Sequence, residues 1–209
     1  MMKKLLWIPA LVLALALSGC GKTAPAADPR DGQASGEQSQ TVPQAAYEDT
    51  SVTDEIHYPQ LTEFPGELLM DYMNQSLAHP AQSLESLDTK DSKALSYEVG
   101  RCDGTWVSVL YTQTLTAPDG TETRTQTAVN LEGGSAQEVT MDNAFRDKAA
   151  VVKLLETQPG DAPVSFYLNG DGAVFFFRPE DDPSRDYVTQ TIPYASLEGY
   201  WNTFGQPAN

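Results

Sequence analysis

The sequence predicts an α+β domain over residues 55–209, with helices packed on one face of a mostly antiparallel sheet. Strand-like runs are separated by Asp103-Gly104, Pro118-Asp119-Gly120 and Asn169-Gly170-Asp171-Gly172, which have the chemistry of tight hairpin turns. Two other stretches repeat apolar residues at spacings of three and four, the period of a half-buried helix. The resulting order is helix, three strands, helix, two strands, one strand, short helix. Strands and helices grouped in that way build an α+β fold.

Ile56 to Leu61 is extended, because Pro59 disfavours the helical region at Tyr58. Pro65 suits a first helical turn, where a missing amide hydrogen costs nothing. Leu69, Tyr72, Met73 and Leu77 then mark one apolar helix face, with a stop expected before Pro80 and His79 at the helix end. Ala94–Cys102, Trp106–Ala117 and Thr121–Leu131 read as a three-strand meander, with Val107, Val109 and Tyr111 on one face of the middle strand. Gly133-Gly134 breaks the chain. A second helix is expected from a Thr140 or Asp142 cap, with Phe145, Ala149, Val152 and Leu155 as its buried stripe. Val164–Leu168 and Ala173–Arg178 form a hairpin, and Phe175-Phe176-Phe177 predicts a strand covered on both sides. Tyr187–Ile192 is a last edge strand ended by Pro193. Ser196 opens a short helix carrying Leu197, Tyr200 and Trp201.

The first 54 residues read differently. Lys3 and Lys4, an apolar run from Leu5 to Leu17 and the small-residue exit Leu17-Ser18-Gly19-Cys20 make a lipoprotein signal over residues 1–19, with Cys20 as the lipidation site. The run is too short to span a membrane, which takes roughly 20 apolar residues. Gly19-Cys20-Gly21-Lys22-Thr23 imitates the end of a phosphate-binding loop, but Pro25, Asp28, Pro29 and Gly32 stand where its helix would begin. Residues 20–54, lipidated Cys and disordered tether, are rich in Ala, Pro, Ser, Gln and Thr without apolar periodicity. Such a tether reaches on the order of 30 Å. The expected location is the extracytoplasmic face of a cell membrane, held by lipid.

Loss of Lys3 and Lys4 with the signal leaves 11 basic against 29 acidic side chains, a net charge of −18. That charge argues against nucleic acid and anionic lipid headgroups as partners and favours basic proteins or cations. With Cys20 lipidated, Cys102 stands alone and is expected to be a small buried residue rather than a disulfide partner.

Tyr58-Pro59-Gln60-Leu61 with Asn74, Val129-Asn130-Leu131-Glu132-Gly133-Gly134, Val139 to Phe145, the Phe166-Tyr167-Leu168 and Gly172–Phe177 pair, and Ile192-Pro193-Tyr194-Ala195-Ser196-Leu197 form a set of short motifs. In these motifs the chain resembles the secreted domain family of RsiV-type lysozyme-sensing anti-sigma factors, found also ahead of the catalytic domain in PdaC-type peptidoglycan deacetylases. The resemblance spans nearly all of residues 56–197 and implies a binding or sensory module. It departs at Arg178 to Asp186, where the family carries a Pro-Tyr-Glu-Ile-Ala-Pro-Tyr-like segment, so a different ligand is implied if that loop binds one in the relatives. A sigma-regulator role is not expected from a chain whose first residues are a lipoprotein signal.

Residue chemistry offers little for catalysis. His57 and His79 are the only histidines, neither sits in a catalytic signature, and a zinc site would need more His or Cys ligands. Glu180, Asp181, Asp182 and Asp186 form the densest acidic cluster, a weak Ca²⁺ candidate without the spacing of a defined calcium loop. Tyr194, Tyr200 and Trp201 could stack on a sugar or a partner, although closing the core under the last helix is the simpler role for Tyr200 and Trp201. The expectation is therefore no catalytic residue, no metal and no cofactor. It is a lipid-anchored binding module for a cell-envelope component or a basic protein such as lysozyme. The alternative is an accessory envelope lipoprotein scaffolding another protein, with a cell-wall-acting hydrolase a distant third.

Overall fold

A computed structural model describes residues 44–179 and 186–202. The elements are β1 (Ala46–Thr53), β2 (Ile56–Glu63), α1 (Glu67–Glu85), β3 (Ser92–Cys102), β4 (Trp106–Thr116), β5 (Glu122–Glu132), α2 (Met141–Ala144), α3 (Lys148–Val152), β6 (Ser165–Leu168), β7 (Gly172–Phe177), β8 (Val188–Pro193) and α4 (Tyr194–Leu197). The α+β class holds and antiparallel pairing dominates, but the strands divide into a five-stranded sheet, β1-β2-β3-β4-β5, and a three-stranded sheet, β6-β7-β8. The predicted signal, Cys20, and Glu180, Asp181 and Asp182 lie outside the described residues.

Hydrophobic period explains how the two sheets share a core. Along β4, Val107, Val109 and Tyr111 join Met73, Leu77, Ala81 and Leu84 of α1 in one cluster. The alternate residues Trp106 and Leu110 turn to clusters shared with the small sheet. β7 is likewise divided, with Ala173, Phe175 and Phe177 on one side and Val174 and Phe176 on the other. A strand covered on both faces needs apolar residues at every position, and all six residues of β7 are buried.

Two polar residues on the shared side are fully satisfied. Leu168 N–H donates to Ser108 Oγ at 2.7 Å, and Ser108 Oγ–H donates to Asn130 Oδ1 at 2.6 Å. Asn130 Nδ2 donates to the carbonyls of Val139 at 3.2 Å and Phe166 at 2.9 Å. This network stitches β4 and β5 to β6. Gly100 permits the same approach on the β3 side, where a Cβ would lie 2.3 Å from the Leu168 carbonyl oxygen.

The N-terminal boundary is corrected. β1 lies inside the stretch read as tether, so ordered structure is present by Ala46 rather than from residue 55. β1 pairs antiparallel with β2 from Ala46↔Glu63 to Thr53↔Ile56. β2 in turn meets β3 in parallel at a single register pair, Ile56↔Leu95. Further along, Asn74 of α1 replaces the missing strand: Leu61 N–H donates to Asn74 Oδ1 at 2.7 Å, and Asn74 Nδ2 donates to the Leu61 carbonyl at 3.0 Å.

Helix expectations also change. α1 runs through Pro80 to Glu85 instead of stopping before it. An interior proline removes one helical hydrogen bond and costs about 3 kcal/mol, and continuation of the helix buries Ala81 and Leu84, which offsets that cost. Lys93 Nζ closes the helix end by donating to the carbonyls of Glu85 at 2.6 Å and Leu87 at 2.7 Å. Tyr72, assigned to the buried stripe, is instead 54 % exposed. The second helix is two short ones, α2 and α3, because Phe145 is extended and pairs with Trp201. The turns form where expected: Asp103 Oδ1 accepts from the amides of Thr105 and Trp106, and Asn169 Oδ1 from those of Asp171 and Gly172.

Candidate functional site

The β1-β2-α1 layer differs in charge from the rest of the fold. Residues 44–89 contain Glu48, Asp49, Asp54, Glu55, Glu63, Glu67, Asp71, Glu85 and Asp88, all exposed, and no Lys or Arg. Among the described residues, the same segment holds five of the six exposed large hydrophobic residues: Tyr47, Val52, Leu68, Tyr72 and Leu87. Leu68 and Tyr72 are four apart on α1 and so lie on one helical stripe, turned away from the buried Met73–Leu77 face. Carboxylates interleaved with exposed aromatic and aliphatic groups create an attractive field for cations beside a surface that gains by desolvation.

One hydrogen-bonded chain ties this layer to the sheet. Asp49 Oδ2 meets His57 Nδ1 at 2.9 Å, and Tyr97 Oη of β3 donates to Asp49 Oδ1 at 2.8 Å. His57 Nε2 lies 3.0 Å from the Asp54 carbonyl oxygen. Both ring nitrogens therefore face acceptors, and only the doubly protonated imidazolium can donate to both. The Asp54 carbonyl and then the Asp49 carboxylate raise the His57 pKa above its ordinary value. The Tyr97 hydroxyl and then His57 hold Asp49 below the usual carboxylate range. Burial, reinforced by Asp49, pushes the Tyr97 phenol up.

Ser51 is the cross-strand partner of His57, so a serine, a histidine and an aspartate share this region of the sheet. They do not form a triad. A nucleophile would need to face Nε2, and Nε2 is engaged by the Asp54 carbonyl. His79 lies within α1, exposed, with Ser83 Oγ 3.5 Å from its Nε2.

Elsewhere, a cleft of about 650 Å³ opens where the β3–β4 turn, the β6–β7 turn and the start of α4 converge. Arg101 Nε donates to Asp103 Oδ2 at 2.7 Å, and the Arg101 guanidinium lies 5.7 Å from the Tyr194 ring centroid. Tyr194 Oη donates to the Asn169 carbonyl at 2.7 Å. Asp103 is held below its ordinary pKa, despite partial burial, by donation from Thr105 and Arg101. Cys102 is half-buried rather than fully buried, and burial pushes its thiol up to about 11. A thiol held protonated is a poor nucleophile, and these polar groups satisfy one another. Among the described residues no cluster of three His, Cys, Asp or Glu side chains could hold a metal ion. Asp186 is exposed at the edge of the described residues.

The motif residues have structural roles. Asn74 completes β2, Asn130 joins the two sheets, and Trp201 packs 4.6 Å from Phe145, centroid to centroid, at 2 % exposure. Tyr194 is buried and Tyr200 half-buried against the same core. The charge asymmetry was available in the sequence as an interval without Lys or Arg between Arg30 and Lys90. The Asp49–His57–Tyr97 chain was not, because it depends on β1 pairing.

No family profile matches the sequence, and no curated protein matches it. Structural neighbours are DUF3298 family proteins. One, from Pseudomonas aeruginosa PAO1, has a TM-score of 0.48 and 13% identity, covering 80% of this chain and 98% of its own. Another, from Bacteroides fragilis NCTC 9343, has a TM-score of 0.48 and 12% identity, covering 78% of this chain and 95% of its own. No helix among the described residues is long and apolar enough to cross a membrane.

Proposed function

We propose that this chain is a lipid-anchored, extracytoplasmic and non-enzymatic binding module that captures a basic protein, such as a lysozyme, on the β1-β2-α1 face. The observation that carries the reading is the segregation in residues 44–89: nine exposed carboxylates, no Lys or Arg, and the exposed pair Leu68 and Tyr72. Carboxylates steer a cationic partner, and the apolar pair supplies contacts that salt does not screen. The signal over residues 1–19, followed by Cys20, and the motif resemblance to RsiV-type sensory domains support the location and the class.

The test is calorimetric titration of the protein with lysozyme at low and physiological salt. Binding should persist at physiological salt, and Leu68→Ala with Tyr72→Ala should weaken it by tenfold or more, as buried aromatic anchors do. Affinity that vanishes at physiological salt, or is indifferent to those substitutions, would remove the reading. The exposed Leu68–Tyr72 stripe also supports the accessory-scaffold reading, in which the partner is another envelope protein. Loss of partner capture on Tyr72→Ala without any response to carboxylate replacement would favour that alternative.

A further inference from the structure

The small sheet ends in an open edge. β8 has β7 on one side, and no described backbone group bonds to its other side. Alternate N–H and C=O groups of such a strand point outward without a partner, and natural edges are blunted by charge, bulges or proline. Both edges of the five-stranded sheet follow that rule. β1 carries Glu48 and Asp49 and two register shifts, and β5 carries Glu122, Arg124 and Glu132. β8 does not. Val188-Thr189-Gln190-Thr191-Ile192 holds no charge, pairs with β7 without a register shift, and is followed by proline only at the strand's last position. A groove of about 490 Å³ opens beside it, lined by residues 189–193 with Leu154 and Glu156, and Leu154 is 39 % exposed.

The residues of this edge read alike in both directions about Gln190: a β-branched apolar residue, Thr, Gln, Thr, and a β-branched apolar residue. Antiparallel pairing of two copies about a two-fold axis at Gln190 sets Val188 opposite the partner's Ile192, Thr189 opposite the partner's Thr191, and Gln190 opposite the partner's Gln190. Every pair is then like with like. We propose that β8 is the interface of a two-fold dimer, in which the β8 edges of two copies pair antiparallel about Gln190 and join two three-stranded sheets into one.

The cross-strand pairs are ones that sheets favour, threonine with threonine on the exposed face and β-branched with β-branched on the other. Val188 and Ile192 belong to the cluster that Phe175 and Trp201 fill, so their pairing carries the apolar layer of one copy towards that of the other. Gln190 is occupied within its own chain: its Oε1 accepts from the Glu156 N–H at 2.6 Å and its Nε2 donates to the Thr157 carbonyl at 3.2 Å. At the axis the copies therefore meet through backbone. The missing charge matters because each chain carries −16 overall, and an uncharged strand is where two such chains can touch without opposing carboxylates on the strands themselves. Pairing also stops at two. β6, the other edge of the small sheet, has only four residues, three of them buried, and its Leu168 N–H is spent on Ser108 Oγ.

The experiment is sedimentation velocity of the full chain in excess detergent, across a concentration series at low and high salt. A reversible dimer is expected, and it should tighten as salt rises, because screening relieves the repulsion between two acidic chains. Thr189→Lys with Thr191→Lys, both at exposed positions, sets lysines directly opposite one another across the axis and should weaken the dimer by about tenfold, with an unchanged circular dichroism spectrum. Thr189→Glu with Thr191→Glu should weaken it likewise, and mixing the lysine and glutamate chains should restore a dimer containing one of each. A chain that stays monomeric throughout overturns the proposal and leaves the edge to an extended peptide of another protein. Association that survives the paired lysines, a dimer that weakens as salt rises, or a mixture that does not recover overturns it as well. Lysozyme capture is read on the β1-β2-α1 face, so failure of one proposal leaves the other standing.

Discussion

β7 and β1 are strands of six and eight residues at opposite extremes of burial. β7 has no exposed residue, whereas β1 has six exposed and two half-buried residues. β7 is held by what packs on both faces. β1 is held by one hydrogen-bonded neighbour and the Asp49–His57–Tyr97 chain. Such an edge can carry charge and exposed aromatics without loss of core, and the proposed partner surface lies there rather than in the interior.

The comparison can be broken most directly in β7. Phe175→Ala should lower unfolding free energy by about 3–5 kcal/mol, since a fully buried phenylalanine leaves a cavity that close packing cannot refill. Tyr47→Ala on β1 should stay within about 0.5 kcal/mol. Denaturant unfolding of both variants measures the contrast, and equal losses would mean that β1 is packed rather than free.

Next in size is the link between the sheets. Asn130→Ala leaves the Ser108 O–H without its acceptor and takes the side-chain donor from the Val139 and Phe166 carbonyls, and should cost about 2–3 kcal/mol by the same measurement. A loss under about 0.5 kcal/mol would show that the sheets adhere by apolar contact alone.

Asn74→Ala sharpens the comparison more locally, at about 1–2 kcal/mol, because it frees the Leu61 N–H and C=O. Hydrogen exchange should show the β1–β2 hairpin opening ahead of β4 and β5. Uniform loss of protection would make the hairpin part of one cooperative unit.

The smallest effect is the pH response. The His57 pKa is raised in the folded state, so its contribution is complete below the ordinary histidine value near 6.5 and is lost as pH rises through the folded value. Asp49 has the opposite sign, contributing above the ordinary aspartate value and losing its contribution as pH falls through its depressed one. NMR titration should place the His57 pKa above 6.5, and Asp49→Asn should lower it. A His57 pKa unchanged by Asp49→Asn would show that the backbone carbonyl of Asp54 alone sets it.

Legibility in the sequence followed the same contrast. Phe175-Phe176-Phe177 and the Asp103, Asp119 and Asn169 turns were readable because each is decided by neighbours in sequence: an uninterrupted apolar run, or a side chain accepting from amides two and three positions ahead. Pro80 was misread because local propensity says stop while the burial of Ala81 and Leu84 decides otherwise. β1 was invisible because alternation without burial resembles a polar linker.

By itself the sequence determined the α+β class, the antiparallel meander, the doubly covered Phe strand and the overall acidity, because hydrophobic period, turn chemistry and charge are additive along a chain. Only the tertiary structure decided that the strands divide into two sheets, that β1 joins the fold, and that Asn74 and Asn130 spend their side chains on backbone groups. Those outcomes depend on which distant group lies opposite a given atom, and a buried hydrogen bond exists only once packing has excluded water from both of its partners.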